Sequence, residues 1–228
     1  MAFTRYALYV TPAPGPLADF GAAWLGWDPA NGRKVDHPTL TGLPAPIAEI
    51  TEAPRRYGLH ATIKPPFRLA EGQTEAALCD AFEQFCATTP AVKLDGLVIA
   101  TLGRFLALVP VGDQAALTAL AARTVRAFDP FRAPLSDAEL LRRRGPGLTP
   151  EQDALLVQWG YPYVMDAFRF HITLTGKRPR AELAELRNRL TDQLSPLLSR
   201  PFHVDALSLM GEDDGKHFHL IHRHALTA

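Results

Sequence analysis

Two short stretches place a threonine two residues after a histidine. They are His60-Ala61-Thr62-Ile63 in LHATIKPPF (59–67) and His171-Ile172-Thr173-Leu174 in FHITLTG (170–176), 111 positions apart. In both, apolar and polar residues alternate, the period of a strand with one buried face. Ala61 and Ile63 share one side, and His60, Thr62 and Lys64 the other. In the second stretch Phe170, Ile172 and Leu174 oppose Arg169, His171, Thr173 and Thr175. Each strand therefore offers an imidazole and a hydroxyl roughly 6–7 Å apart, about two strand rises.

Those groups suit a phosphodiester. One neutral imidazole can take a proton from water or a ribose hydroxyl, while the other, protonated, donates to the leaving oxygen. The hydroxyls of Thr62 and Thr173 can hydrogen-bond non-bridging oxygens. Lys64 or Arg169 can offset the charge that builds there. Thr175 lies on the same face, and Tyr161 and Tyr163 precede the second strand, placed either to stack on a base or sugar or to fill the core. The chemistry requires no metal and no cofactor, and no tight set of acidic ligands lies near either motif. A lone His-x-Thr tripeptide carries almost no information; two copies at matching places in the chain carry much more.

The places do match. A strand at 5–12, a helix at 16–28, a strand at 59–65, a helix at 74–89 and a strand at 92–102 precede strand 105–112, helix 113–128, strand 168–176, helix 180–199 and strand 202–210. Val98 follows His60 by 38 positions, and Leu209 follows His171 by the same 38. The pattern is a duplication, with repeats at 5–102 and 105–210 inside one bilobal domain spanning 1–228. It is interrupted by a long loop at 29–57 and a helical insertion at 129–162, and a final strand covers 216–224. The expected class is α+β, two mainly antiparallel sheets flanked by helices around a central cleft. Gln73 and Thr74 stand near the start of the helix at 74–89, and Asp113 is placed to cap the helix at 113–128.

The paired motifs, the opening RYALYVTPAPGPLADFGAAWLG and the C-terminal run resemble the two-histidine phosphoesterase superfamily, in the branch found beside phosphonate-degradation genes. The resemblance covers almost the whole chain. It implies a bilobal fold with one His-x-Ser/Thr motif per lobe, His60 and His171 as acid and base, and Thr62 and Thr173 as phosphate ligands. It also implies a cyclic phosphodiester of a small sugar phosphate or nucleotide as substrate, hydrolysed or formed without metal. RNA-ligase-like members often carry arginine five positions after the second histidine. Gly176 stands there, followed by Lys177 and Arg178, which favours a small phosphorylated molecule over an RNA end. The alternative is a protein that binds a phosphorylated ligand or RNA end without turning it over.

Composition narrows the classes further. Of 228 residues, 24 are Lys or Arg and 24 Asp or Glu, so no broad basic field exists to hold long nucleic acid by counterion release. A small anion needs only a local positive pocket. No run of apolar residues is long enough to span a membrane, no leader is recognised, and the expected location is the cytoplasm. Cys79 and Cys86 share a helix face about 10 Å apart, too far for a disulfide. Arg142-Arg143-Arg144 reads either as a solvated helix end or as part of a lid over a second phosphate. In KHFHLIHRH (216–224), His217 and His219 share a face but lack further zinc ligands, so an outward-facing edge strand is the simpler reading.

Overall fold

The computed structural model describes residues 2–145 and 147–227. The chain opens with β1 (Arg5–Val10), rich in aromatic and apolar residues, and α1 (Pro16–Leu25). Pro16 suits the first helical turn, and Gly26 closes the helix in the left-handed region at φ 77°. The segment expected as a plain loop holds a small hairpin, β2 (Trp27–Asp28) and β3 (Arg33–Lys34), and two short helices, α2 (Ile47–Ile50) and α3 (Glu52–Arg55). Their few residues and Pro/Gly-rich surroundings leave no periodicity to read. Next come β4 (Ala61–Phe67) and α4 (Glu75–Ala87), capped by Thr74, whose hydroxyl accepts from the Ala77 amide at 3.1 Å.

The single strand expected at 92–102 is broken at Asp95 into β5 (Val92–Leu94) and β6 (Gly96–Leu102). A hairpin leads to β7 (Phe105–Val111), then α5 (Ala115–Ala127), whose Ala115 amide donates to Asp113. The insertion holds α6 (Asp137–Arg144) and α7 (Pro150–Trp159), each opened by a capping box, Ser136 with Glu139 and Thr149 with Gln152. The second motif strand, β8, is only Ile172–Thr173, shorter than the nine residues expected. After it, Thr175 takes the Leu106 amide on its own hydroxyl and ends the regular ladder. The chain finishes with α8 (Arg180–Leu194), β9 (Phe202–Val204), β10 (Ala206–Glu212) and the edge strand β11 (Phe218–Ala225).

Seven strands form one antiparallel sheet in the order β11-β10-β1-β4-β8-β7-β6. The two expected sheets are thus its two halves, joined side by side where Ala61 pairs with Ile172. The halves exchange strands. β10, from the second repeat, pairs with β1, and β6, from the first, pairs with β7. The short pair β5·β9 also ties one repeat to the other, through Val92 and Val204. α5 packs on β4, and the Trp24 indole of α1 donates to the Leu174 carbonyl at 2.7 Å. Each repeat's first helix thereby covers the other's motif strand.

One face of the sheet lies beneath these helices. Leu8, Ile63, Leu108 and Ile172 interlock there with Trp24, Phe82, Leu120 and Leu186 in one apolar cluster. Burying each such side chain contributes on the order of 1.5–3 kcal/mol. The opposite face carries a smaller cluster, Ala7, Tyr9, Met210 and Phe218. Its centre, along β4 and β8, is left for polar groups. Cys79 and Cys86 on α4 are free, and burial pushes the Cys86 thiol up to about 12.

Candidate active site

The Ala61–Ile172 pair sits at the middle of the duplicated arrangement. Both side chains are buried on the helix side. Alternation turns their neighbours to the opposite face. Continuing the antiparallel register by one residue sets His60 opposite Thr173 and Thr62 opposite His171. The four side chains so occupy the corners of a rectangle, with the histidines on one diagonal and the threonines on the other. Its diagonal is roughly 8 Å, from two strand rises and one strand spacing.

The two imidazoles are held alike. His60 Nδ1 lies 2.9 Å from the Gly58 carbonyl and His171 Nδ1 lies 2.8 Å from the Arg169 carbonyl. A carbonyl only accepts, so each Nδ1 carries its hydrogen and each Nε2 is left for chemistry. Thr62 Oγ1 is 3.3 Å from His60 Nε2. The Tyr9 and Tyr57 rings pack against His60 at 4.0 and 5.4 Å between centroids. Burial pushes the His60 pKa down to about 4, and the nearby His171 adds to that, so His60 is neutral at pH 7. The aromatic neighbour of His171 is Phe105, 6.0 Å away.

A cavity of about 410 Å³ opens over this face. His60, Thr62 and Thr173 line it, and His171 is not among the lining residues. Four cations also line it, Arg5, Arg56, Arg143 and Lys177, and no carboxylate does among the described residues. A chain of zero net charge thus concentrates positive charge at one concave place. Such a site favours an anion.

Four expected contributors are placed or engaged differently. Lys64 does not share the face of Thr62. Tyr9 pairs with Thr62 and Leu8 with Lys64, so one step on β1 matches two on β4. That bulge turns Lys64 to the helix side, where it is 1% exposed and donates to the Val125 carbonyl at 3.2 Å and Asp129 at 3.4 Å. Pro65 and Pro66 continue the strand because β8 has already ended beside them, so no partner there requires their missing amides. Arg169 is folded back, donating to the Asp166 and Phe168 carbonyls, and does not line the cavity. Thr175 lines the cavity, but its hydroxyl is engaged by the Leu106 amide and the Gly176 carbonyl. Tyr163 is 46% exposed outside it, whereas Tyr161 lines it.

The arginine run divides three ways. Arg142 is exposed, Arg144 pairs with Asp153 at 2.6 Å, and Arg143 reaches the cavity. Among the histidines at the C-terminal edge, His219 bonds Asp213 at 2.8 Å and His217 packs on Trp27 at 4.4 Å. Arg5, Tyr9, Arg56, Tyr57 and Lys177 escaped the sequence reading as site residues. Arg5 and Tyr9 carried a signal, since alternation along RYALYV puts them on one face with Ala7. Arg56 and Tyr57 come from irregular chain and carried none.

The family model described as "Protein of unknown function (DUF1045)" matches residues 62–219, which include Thr62, His171 and Thr173. A curated relative from Janthinobacterium sp. (strain Marseille), named ribose 1,5-bisphosphate phosphokinase PhnN, is 39% identical over 93% of this chain and 48% of its own length. Another of that name, from Laribacter hongkongensis (strain HLHK9), is 35% identical over 92% of this chain and 48% of its own. The chain thus spans about half the length of these relatives. Among solved structures, a phosphoesterase aligns with TM-score 0.42 and 14% identity over 99% of both chains. TT0787 of Thermus thermophilus aligns with TM-score 0.46 and 13% identity over 97% of both. The chain belongs to the DUF1045 family.

Proposed function

We propose that this protein is a metal-independent phosphoesterase that opens a cyclic phosphodiester on a small sugar phosphate, within phosphonate metabolism. The observation that carries the reading is the rectangle of His60, Thr62, His171 and Thr173 on one open sheet face, registered by the Ala61–Ile172 pair. Neutral His60 takes the proton of an attacking water. The water oxygen bonds to phosphorus, the ring P–O bond breaks, and protonated His171 gives its proton to the departing oxygen. Attack and departure lie along the histidine diagonal, so Thr62 and Thr173 are placed for the non-bridging oxygens. The basic lining stabilises charge on the phosphoryl group.

The curated relatives favour a ribosyl substrate. Their name concerns ribose 1,5-bisphosphate, and opening a 1,2-cyclic phosphate of ribose 5-phosphate at the 2-oxygen yields that compound. The kinase activity in the name belongs to proteins about twice as long. The present sequence contains no Gly-x4-Gly-Lys-Ser/Thr phosphate loop, and its cationic cleft is built differently. The site is proposed to act in the cytoplasm without a cofactor.

The test is a panel of cyclic phosphates, ribosyl 1,2-cyclic and nucleoside 2′,3′-cyclic, assayed with wild type, His60→Ala and His171→Ala. Turnover of a ribosyl cyclic phosphate that disappears in both variants supports the reading. Turnover unaffected by either substitution contradicts it. Tight binding of these compounds with no product over hours would instead support a non-catalytic phospho-ligand protein.

A further inference from the structure

The rectangle accounts for one phosphate, but much of the positive charge in the cavity lies elsewhere in its wall. Arg5, Arg56 and Arg143 line both this cavity and an adjoining outer groove that also holds Arg68, Arg142 and Lys216. The three arginines come from β1, the end of α3 and α6, so the tertiary fold gathers them. Arg143 belongs to the insertion, which has no counterpart in the first repeat.

Two donors at this wall have no protein partner among the described residues. The Nε of Arg143 and the hydroxyl of Tyr9 are both buried without a hydrogen bond. Leaving such groups unsatisfied is destabilising, more so for a charged one. Their positions are nevertheless fixed. The Arg143 guanidinium lies over the Tyr161 ring, 5.2 Å from its centroid. Its helix is tied down by Arg68 to Glu139 at 2.9 Å and by Arg144 to Asp153. Arg5 is gripped by two bonds to the buried carboxylate of Glu212. Burial lowers the Arg143 pKa; Tyr161 and the groove carboxylate Glu139 act against that, while Arg142 and Arg5 add to it, so the neighbouring cations repel Arg143. An anion seated among them removes both penalties.

We propose that Arg143, with Arg5 and the Tyr9 hydroxyl, forms a second phosphate subsite that selects a substrate carrying a terminal phosphate monoester beside the cyclic one. The inference rests on the proposed phosphoesterase reading for its catalytic half. The cavity volume of about 410 Å³ lies within the roughly 300–1,000 Å³ of small-molecule sites, which favours a sugar bisphosphate over an RNA end.

The first arm of the test is kinetic. kcat/KM is measured for a ribosyl 1,2-cyclic phosphate with and without a 5-phosphate, using wild type, Arg143→Gln and Arg143→Lys. Arg143→Gln is expected to cut the preference for the 5-phosphorylated substrate at least tenfold, mainly through KM, and Arg143→Lys to restore part of it. An unchanged preference overturns the subsite. So does a preference for a short RNA ending in a 2′,3′-cyclic phosphate.

The second arm needs no turnover. Ribose 5-phosphate is titrated calorimetrically into wild type, Arg143→Gln and the double variant His60→Ala/His171→Ala, each checked for an intact melting transition. Binding lost in Arg143→Gln but kept in the double variant supports a separate subsite, even if no cyclic phosphate is ever hydrolysed. Binding equal in wild type and Arg143→Gln, lost in the double variant, or absent from wild type overturns it.

Discussion

His60 and His171 occupy equivalent places in a duplicated unit, and their Nδ1 atoms are held the same way, yet their surroundings differ. His60 is pressed between Tyr9 and Tyr57, whereas the aromatic partner of His171 is Phe105 at a longer 6.0 Å. The two motifs therefore supply the geometry, two matching imidazole–hydroxyl pairs. Residues outside the duplicated motifs supply the asymmetry. Burial within this tyrosine box lowers the His60 pKa to about 4, which in the proposed reaction would suit His60 to act as base and leave the acid to His171.

The sharpest break in this comparison is removal of either imidazole. His60→Ala and His171→Ala are each expected to lower kcat by about 10²–10⁴ on a ribosyl cyclic phosphate. The double variant should lose little more than the worse single one, because the pair acts as a unit. Steady-state rates on the three variants check this. Full activity without either histidine breaks the pairing.

Stability against pH tests the asymmetry itself. The folded His60 pKa, about 4, lies below the unfolded value of about 6.5. Between those values the unfolded chain binds a proton that the folded one refuses, so stability falls as pH falls through that window. The loss from this one group amounts to about 3 kcal/mol by pH 4. Urea unfolding from pH 7 to 4 should show that much less acid destabilisation in His60→Gln than in wild type. Equal profiles mean the box does not exclude the proton.

Smaller effects are expected from the hydroxyls and none on catalysis from Lys64. Thr62→Val and Thr173→Val should each lower kcat/KM roughly tenfold, the worth of one modest hydrogen bond of about 1.4 kcal/mol. A large loss from one and none from the other would show that only one strand holds the phosphate. Lys64→Met should leave turnover in place, because that side chain faces α5 and Asp129 keeps Arg132 at 2.8 Å. Removing one partner of a buried ion pair destabilises, but Asp129 keeps Arg132, so the melting temperature should drop only slightly. Lost turnover would place Lys64 at the substrate after all.

The Lys64 case shows where the sequence stops being legible. Period-two alternation placed His60, Thr62, His171 and Thr173 on one side of their strands, because that depends only on local pleating. It misplaced Lys64, because the bulge between Thr62 and Lys64 is fixed by pairing with β1, a non-local contact. Most helices were readable from periodicity. The exchange of β6 and β10 was not, since partner choice leaves no mark on strands that read alike. Arg143 was visible only as the middle of a basic run. What distinguishes it from Arg142 and Arg144 is its position on α6 relative to Tyr161, a tertiary relation.

The central claim is that both His-x-Thr pairs act on one phosphorus atom. A crystal structure of the protein with vanadate and a ribosyl diol tests it most directly. The expected result is a single vanadium centre with apical oxygens within about 3.2 Å of Nε2 of His60 and of His171, and equatorial oxygens facing Thr62 and Thr173. A vanadate held by one pair alone, with the other pair pointing away, would contradict it.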